Sequence, residues 1–261
     1  MSSRTKARAS CLAPATASRR LFLGGIAASF AAGAAAADPL FRILVIGDSQ
    51  AQGLAFGLQK VFRQDRQVRV LDRTKISTGL VSRAGYDWPA TARTLATVER
   101  PDSAVVMFGA NDRPPVRVGG KVNPQLSASF ERVYGGRVQE IVTVLRQVGA
   151  LVIWVGHPNV RDADYADDMM ALNHIYEQNA RAAGGEWLPV WDMFTGPDGG
   201  YAPYGKGPDG ETTRLRADDG VHLTNAGYEL IARRLRTIID EWRQSQQARG
   251  AVSVTPAPER P

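Results

Sequence analysis

The stretch Ile43-Leu-Val-Ile-Gly-Asp-Ser-Gln50 decides how this chain folds. Four apolar residues run into a Gly-Asp-Ser turn, and residues 51–58 continue with the composition of a helix. A buried strand that turns directly into a helix leaves the turn's side chains at the strand's carboxyl end, where open α/β sheets bind their ligands. Ser49 is therefore a candidate nucleophile beside a helix N-terminus. A simple helix cap explains Asp48 and Ser49 equally well, because caps prefer the same residue types.

Strand-like and helix-like stretches alternate through the rest of the chain. Apolar or alternating runs predict strands at 41–46, 68–72, 103–108, 151–155 and 186–190. The intervening stretches predict helices at 51–64, 88–99, 130–148, 164–183 and 224–245, with a loop at 114–124. This alternation predicts one α/β domain over residues 38–245, with a mostly parallel sheet covered by helices on both faces. A repeated Gly-Pro-Asp-Gly turn predicts a small hairpin between Tyr201 and Arg216.

Residues 1–37 have a different character from the rest. They contain five basic residues and no acidic one, and they end in a weakly apolar, Ala- and Gly-rich run. This pattern predicts an export signal, and Ser18–Leu23 resembles the twin-arginine type that folded bacterial proteins carry. A retained membrane anchor is the alternative, which the short run disfavours. We expect cleavage near Ala36 or Ala37, a periplasmic or secreted mature chain, and a disordered tail at 246–261.

The charge balance depends on that signal. The chain has 32 Lys and Arg against 26 Asp and Glu, a formal net charge of +6. Leaving out the signal's five basic residues gives 27 against 26, or +1, so the sequence offers no support for a nucleic-acid partner. The sole cysteine, Cys11, lies in the predicted signal, which leaves the mature chain without a disulfide or a thiolate nucleophile. No spacing of His, Cys and acidic residues matches a zinc site, and we expect neither a metal nor a cofactor.

Two further motifs could carry chemistry. One precedes the last predicted helix, and the other follows the third predicted strand. In Asp218-Asp-Gly-Val-His-Leu-Thr224, the three-residue spacing lets the Asp219 carboxylate bond Nδ1 of His222 and leaves Nε2 as a base. Asn111 follows the third predicted strand, where its amide can stabilise an oxyanion. Each has a plainer explanation: His222 as a surface residue of a capping loop, and Asn111 in an Asx turn.

The order of these motifs resembles the SGNH (GDSL-type) hydrolase superfamily, from Phe41 to about Arg243. The resemblance implies a flavodoxin-like three-layer α/β/α sandwich around a central parallel sheet of about five strands. Gln50 stands where many members have leucine, which leaves the catalytic set intact.

The resemblance also implies roles for individual residues. Ser49 would be the nucleophile, His222 the base and Asp219 its partner. The oxyanion hole would consist of the N–H groups of Ser49 and Gly79 and the Asn111 side chain. Gly85, six residues after Gly79, is the alternative glycine for this role.

The function these roles imply is an exported serine esterase that works through an acyl-enzyme and removes O-acetyl groups from cell-wall or exported polysaccharide. Arginine and aromatic side chains near the site suit a sugar that carries carboxylates. The candidate substrate-binding residues are Arg113, Arg214, Arg216, Tyr204 and His157, and packing within its loop is the alternative for His157. An O-acyltransferase with the same triad, a lipase or thioesterase, and a non-catalytic envelope-binding module are the alternatives. The paired acids Asp167 and Asp168 predict a solvated face, and His174 a structural role.

Overall fold

The computed structural model describes residues 40–253. The predicted signal and residues 254–261 of the predicted tail lie outside this range. In the described chain the strands are β1 (Phe41–Gly47), β2 (Val68–Asp72), β3 (Ser103–Met107), β4 (Val116–Val118), β5 (Lys121–Asn123), β6 (Leu151–Val155), β7 (Glu186–Leu188), β8 (Tyr204–Lys206) and β9 (Thr212–Arg214). The α-helices are α1 (Ser49–Val61), α2 (Trp88–Glu99), α3 (Ala128–Arg146), α4 (Ala163–Ala182) and α5 (Asn225–Ser253).

The central sheet has five parallel strands in the order β2-β1-β3-β6-β7. Residues 43–46 of β1 are fully buried because both faces of the sheet are covered. Successive strand side chains point to opposite faces, so Leu44 and Ile46 pack with α2, α3 and α4, whereas Ile43 and Val45 pack with α1 and α5. The predicted three-layer sandwich with about five parallel strands is confirmed.

The first and last helices pack closely against each other. A side chain at Gly53 of α1 would overlap the Tyr228 ring of α5, and one at Gly57 would lie 2.8 Å from the Tyr228 carbonyl oxygen. Glycine at these two positions therefore allows close helix contact. Because His222 lies three residues before α5 and Ser49 begins α1, this packing brings the two ends of the fold to one edge of the sheet.

The structure differs from the predicted elements in two places. The predicted loop at 114–124 contains the β4–β5 hairpin, whose three-residue strands are too short to produce a recognisable alternation. Helix α5 continues to Ser253, so residues 246–253 are helical where a tail was predicted. The β8–β9 hairpin lies where the repeated turns predicted one. None of the helices within residues 40–253 has both the length and the apolar character needed to cross a membrane.

Candidate active site

The turn after β1 places Ser49 at the start of α1. Gly47 has a φ of +142°, and a side chain there would overlap the Met107 carbonyl oxygen of β3, so only glycine fits. Asp48 caps the helix, since its Oδ1 accepts a hydrogen bond of 2.9 Å from the Gln50 N–H. The cap and the candidate nucleophile are therefore neighbours: Asp48 serves the helix, and the Ser49 hydroxyl remains for chemistry.

Three predicted side chains form one continuous hydrogen-bonded chain. Ser49 Oγ lies 2.8 Å from His222 Nε2, and His222 Nδ1 lies 2.6 Å from Asp219 Oδ2. Burial acts to raise the pKa of Asp219, but hydrogen bonds from the Val221 N–H and from the ring and N–H of His222 outweigh it and lower the pKa to about 2. An ionised Asp219 assigns the ring proton to Nδ1 and leaves Nε2 as the acceptor facing Ser49.

Gln50 connects the hydrogen-bonded side chains of Ser49, His222 and Asp219 to the rest of the fold. Its fully buried side chain donates from Nε2 to the Val221 carbonyl oxygen at 2.9 Å and accepts from the Tyr228 hydroxyl at 2.8 Å. We call residues Asp218–Leu223 the base loop. The residue after the candidate nucleophile thus fixes the loop that carries the candidate base, a role that the sequence signalled only as a departure from the commoner leucine.

Arg216 holds the base loop from its other side. It is fully buried, its Nη2 donates to the Val221 carbonyl oxygen at 3.0 Å, and its guanidinium lies 5.2 Å from the Tyr201 ring centre and 5.9 Å from that of Phe194. The predicted substrate-binding role is therefore wrong in this structure. A guanidinium is weakly hydrated and stacks well on aromatic rings, which is why it tolerates this position.

His157 is also buried, which agrees with the packing alternative and not with a place on the substrate. Its Nδ1 lies 2.7 Å from the Pro158 carbonyl oxygen, and its ring packs behind Gly109. Burial lowers the pKa of His157 to about 4, so the ring is neutral at neutral pH. This histidine packs beneath the loop after β6 and does not face the solvent.

The remaining predicted substrate-binding residues are accessible. Arg113 pairs with Asp168 at 2.7 Å and lies 4.5 Å above the Tyr165 ring. Of the two acids predicted to form a solvated face, Asp167 is exposed, whereas the Asp168 side chain is only 18% exposed. Arg214 pairs with Asp218 at the start of the base loop. Tyr204 is 59% exposed on β8.

Asn111 and Gly79 lie on the other side of Ser49. Asn111 Nδ2 donates to the Thr78 carbonyl oxygen at 2.9 Å and lies 3.5 Å from Asp48 Oδ2. One amide hydrogen is thus committed, and the other makes only a long contact that an oxyanion can replace.

Position 79 requires a glycine because the Asp112 carboxylate lies against its Cα. A side chain there would overlap Asp112 Oδ1, whereas one at Gly85 would lie 3.6 Å from Ser82 Oγ, its only close neighbour. Within residues 40–253, the Gly79 N–H has no hydrogen-bond acceptor. Both observations favour Gly79 over Gly85 as the oxyanion donor.

Two buried carboxylates support the oxyanion side. Burial, reinforced by the nearby charge of Asp112, raises the pKa of Asp48 to about 7. Burial also raises the pKa of Asp112 to about 6, although it accepts hydrogen bonds from the Tyr134 hydroxyl at 2.6 Å and the Val81 N–H at 3.0 Å. We call residues Ser77–Ser82 the oxyanion loop. This loop is therefore tied to a carboxylate whose charge changes near neutral pH.

A small cavity of about 340 Å³ opens beside the oxyanion loop. It is lined by Lys75, Ile76, Ser77, Thr78, Gly79, Val81, Ser82, Gly85, Tyr86 and Asn111. Polar and backbone groups make up much of this lining, which suits a small polar group next to the candidate oxyanion donors. Among the described residues, no group of three His, Cys or acidic side chains is arranged to hold a metal ion.

Comparisons with known proteins agree with this fold. The family model described as "Protein of unknown function (DUF459)" matches residues 42–237. A GDSL-like lipase from Bacteroides thetaiotaomicron is 16% identical, with a TM-score of 0.57 over 80% of this chain and 93% of that one. A putative acylhydrolase from Bacteroides fragilis is 15% identical, with a TM-score of 0.55 over 77% and 86%.

A third solved structure is named for a different activity. The periplasmic domain of a lipopolysaccharide acetyltransferase from Salmonella Paratyphi A is 13% identical, with a TM-score of 0.54 over 78% of this chain and 85% of that one. No curated protein matches the sequence. At these identities the solved structures establish the fold and leave the activity to be argued from the site. The chain belongs to the DUF459 family and has the fold of the SGNH hydrolases.

Proposed function

We propose that this protein is a serine esterase that works through an acyl-enzyme. The observation that carries the proposal is the unbroken hydrogen-bonded chain from Asp219 through His222 to Ser49. As Ser49 Oγ bonds to the ester carbonyl carbon, His222 Nε2 takes the hydroxyl proton. Asp219 stays ionised, holds the ring and stabilises the imidazolium that forms.

The negative charge that develops on the carbonyl oxygen needs donors on the opposite side. The Ser49 N–H lies in the first turn of α1, where a helix leaves its N–H groups without intrahelical acceptors. The Gly79 N–H and the second Asn111 amide hydrogen complete the set. His222 then returns its proton to the leaving alcohol, and the acyl group remains on Ser49. His222 then deprotonates a water molecule, which attacks the acyl carbon. The bond from that carbon to Ser49 Oγ breaks, His222 gives the proton back to Ser49, and the acid is released.

For the substrate, we propose a short acyl group, specifically O-acetyl, on a cell-wall or exported polysaccharide. The cavity beside Asn111 is small and partly polar, which favours an acetyl group over a long alkyl chain. The predicted signal at residues 1–37 supports an exported protein, and acetylated polysaccharides lie outside the cytoplasm.

An O-acyltransferase is the second candidate, and the Salmonella neighbour favours it. The first half of the reaction would be the same. A sugar hydroxyl would then replace water as the acceptor of the acyl group from Ser49. The two activities differ in their products, which are free acid and an acylated sugar respectively.

The test is a substrate panel on the purified protein with Ser49→Ala as the inactive control. It compares acetyl, butyryl and octanoyl esters of one chromophore with acetate release from acetylated xylan and acetylated pectin. We expect preference for acetyl esters and acetate release from a glycan. Preference for octanoyl esters with no acetate from any glycan would replace the proposal with a lipase, and transfer of acetyl to an added oligosaccharide without free acetate would replace it with an acyltransferase.

Location is tested separately. We propose export through the twin-arginine-type signal, and replacing Arg19 and Arg20 together by lysine should hold the precursor in the cytoplasm. Fractionation and immunoblotting measure this. Normal amounts of the mature variant outside the cytoplasm would contradict export by the twin-arginine route.

A further inference from the structure

A larger open cavity of about 930 Å³ adjoins the oxyanion loop. We call it the side groove. Its walls are residues 81–84, the segment around Pro114 and Pro115 with the β4 strand, and the face of α3 that carries Gly136. Val81 and Ser82 line both this groove and the small cavity that contains Asn111. A ligand in the side groove therefore lies next to the proposed acyl-binding cavity.

The side groove has an excess of positive charge. Three arginines and one glutamate line it. Arg83 pairs with Glu140, and the buried Arg137 donates to the Leu80 carbonyl oxygen. Arg117 is exposed, and no carboxylate lies within 4.0 Å of its guanidinium in residues 40–253. One guanidinium is thus available to pair with an anion from outside.

The floor of the side groove contains a glycine with no internal reason to be there. Gly136 lies in the middle of α3, where glycine is less favourable than alanine. A side chain at Gly135 would lie 2.6 Å from Asn179 Nδ2, which explains that glycine. A side chain at Gly136 would meet no atom within 4 Å. Glycine at position 136 therefore keeps room for something that approaches α3 from outside the protein.

The exposure of the groove indicates what kind of ligand it takes. Most of its lining residues are exposed, so an occupant keeps much of its contact with water. A long acyl chain gains little in such a place and would displace water from the charged side chains. A sugar chain suits it better, because its C–H faces pack on Pro114, Pro115 and Val118 while its hydroxyls stay hydrated. A carboxylate on the sugar can form a two-pronged pair with Arg117.

We propose that the side groove binds a run of uronic-acid residues of the polysaccharide whose O-acetyl group reaches Ser49. Only the part that concerns the O-acetyl group at Ser49 rests on the proposed esterase function. The binding itself needs no ester chemistry, so it is tested on a ligand without acetyl groups.

The experiment titrates full-length Ser49→Ala with a short, unacetylated oligogalacturonate in a calorimeter. We expect binding that weakens as salt is added, because the pair at Arg117 is exposed to solvent. Adding Arg117→Ala should weaken binding about tenfold, the usual worth of a charge-assisted hydrogen bond. Adding Gly136→Leu should weaken it at least as much while the protein stays folded, because leucine is a good helix former and the space is open. Arg132→Ala, which removes an exposed arginine of α3 outside the groove, is the matched control and should bind normally.

Three results would overturn the inference. One is equal affinity for a neutral oligosaccharide of the same length. Another is equal loss in the Arg117 and Arg132 variants. The third is binding of octanoate that Gly136→Leu abolishes while oligogalacturonate does not compete, which would assign the groove to an acyl chain. If oligogalacturonate binds as expected but the unmodified protein hydrolyses no ester, only the proposed function fails.

Discussion

The two sides of Ser49 are built differently. On one side, the base loop is held by uncharged or permanently charged groups: Gln50 and Arg216 both donate to the Val221 carbonyl oxygen. On the other side, the oxyanion loop is bonded to the buried carboxylate of Asp112, and the buried carboxylate of Asp48 lies beside Asn111. Burial raises the pKa of Asp48 to about 7 and that of Asp112 to about 6. The base side is already assembled without substrate, whereas on the oxyanion side the Asn111 amide is still bonded to the Thr78 carbonyl.

This difference predicts that the two sides of Ser49 respond to different changes, one to geometry and the other to protonation. The proton-transfer side should depend on geometry, because Gln50 and Arg216 fix the base loop through hydrogen bonds to the Val221 carbonyl oxygen. The oxyanion side should depend on protonation, since its supporting carboxylates change charge between about pH 6 and pH 7. Five substitutions test this separation.

The largest effect is expected on the base side itself. Ser49→Ala and His222→Ala should each reduce ester turnover by roughly 10⁴-fold or more, because either change removes the nucleophile or its base. Initial rates with an acetyl ester measure this, and circular dichroism checks that the fold remains. His174→Ala, an exposed histidine on α4, is the matched control and should keep full activity. Near-normal turnover in either triad variant would refute the assignment.

The next effect concerns the oxyanion side. Asn111→Ala should lower kcat by about 10²–10³-fold with little change in KM, because its amide would meet the oxyanion only in the transition state. Steady-state kinetics separate the two parameters. A rise in KM at constant kcat would instead mean that Asn111 binds the ground-state ester.

The third effect is the pH dependence of stability. The folded pKa of Asp48, about 7, exceeds the ordinary value of 3.8, so its contribution to stability is present at low pH and is lost as pH rises from about 4 to about 7. Asp219, with a lowered pKa of about 2, acts in the opposite sense and loses its contribution only as pH falls from about 4 to about 2.

Asp48→Asn keeps a capping side chain and removes the titration. Between pH 5 and pH 8 the free energy of unfolding of the unmodified protein should fall by on the order of a few kcal/mol from this group, and the variant should lose less. Urea unfolding at the two pH values measures both. Equal losses in the two proteins would show that Asp48 is ionised throughout this range.

The smallest effect is expected at Gln50. Gln50→Leu leaves the Tyr228 hydroxyl without its acceptor and the Val221 carbonyl with Arg216 as its remaining side-chain donor, which should loosen the base loop and lower kcat about tenfold with KM unchanged. Gln59→Leu, at an exposed position of the same helix, is the control. If Gln50→Leu lowers the melting temperature while kcat stays normal, the glutamine supports the fold alone and does not position the base.

Local patterns predicted the main elements of the fold. The strand at 151–155 and the helix at 88–99 have the predicted bounds, because long apolar runs and clear caps determine them. The spacing of Asp219 and His222 predicted their contact because the two residues share one short loop. The hairpin at 116–123 was not predicted, since three-residue strands between prolines resemble any turn-rich loop.

Residues whose role depends on distant contacts could not be assigned from the sequence. Arg216 looks like a surface cation until the rings of Tyr201 and Phe194 close over it. Gln50 meets Tyr228, which is 178 positions away, and its neighbours in sequence give no sign of that partner. Both residues contact segments that are distant in the sequence, and such contacts are determined by the packing of the whole fold.

The packing of α1 against α5 has a consequence for synthesis of the protein. The nucleophile comes from the first helix and the base from the loop before the last one, and Tyr228 seats against Gly53 and Gly57 to join them. A nascent chain that ends before residue 215 contains all five strands of the central sheet but carries no base. The proposed hydrolysis would therefore begin only when the last helix has left the ribosome and docked. The same arrangement predicts that two fragments split before β9 are inactive apart and regain turnover when mixed.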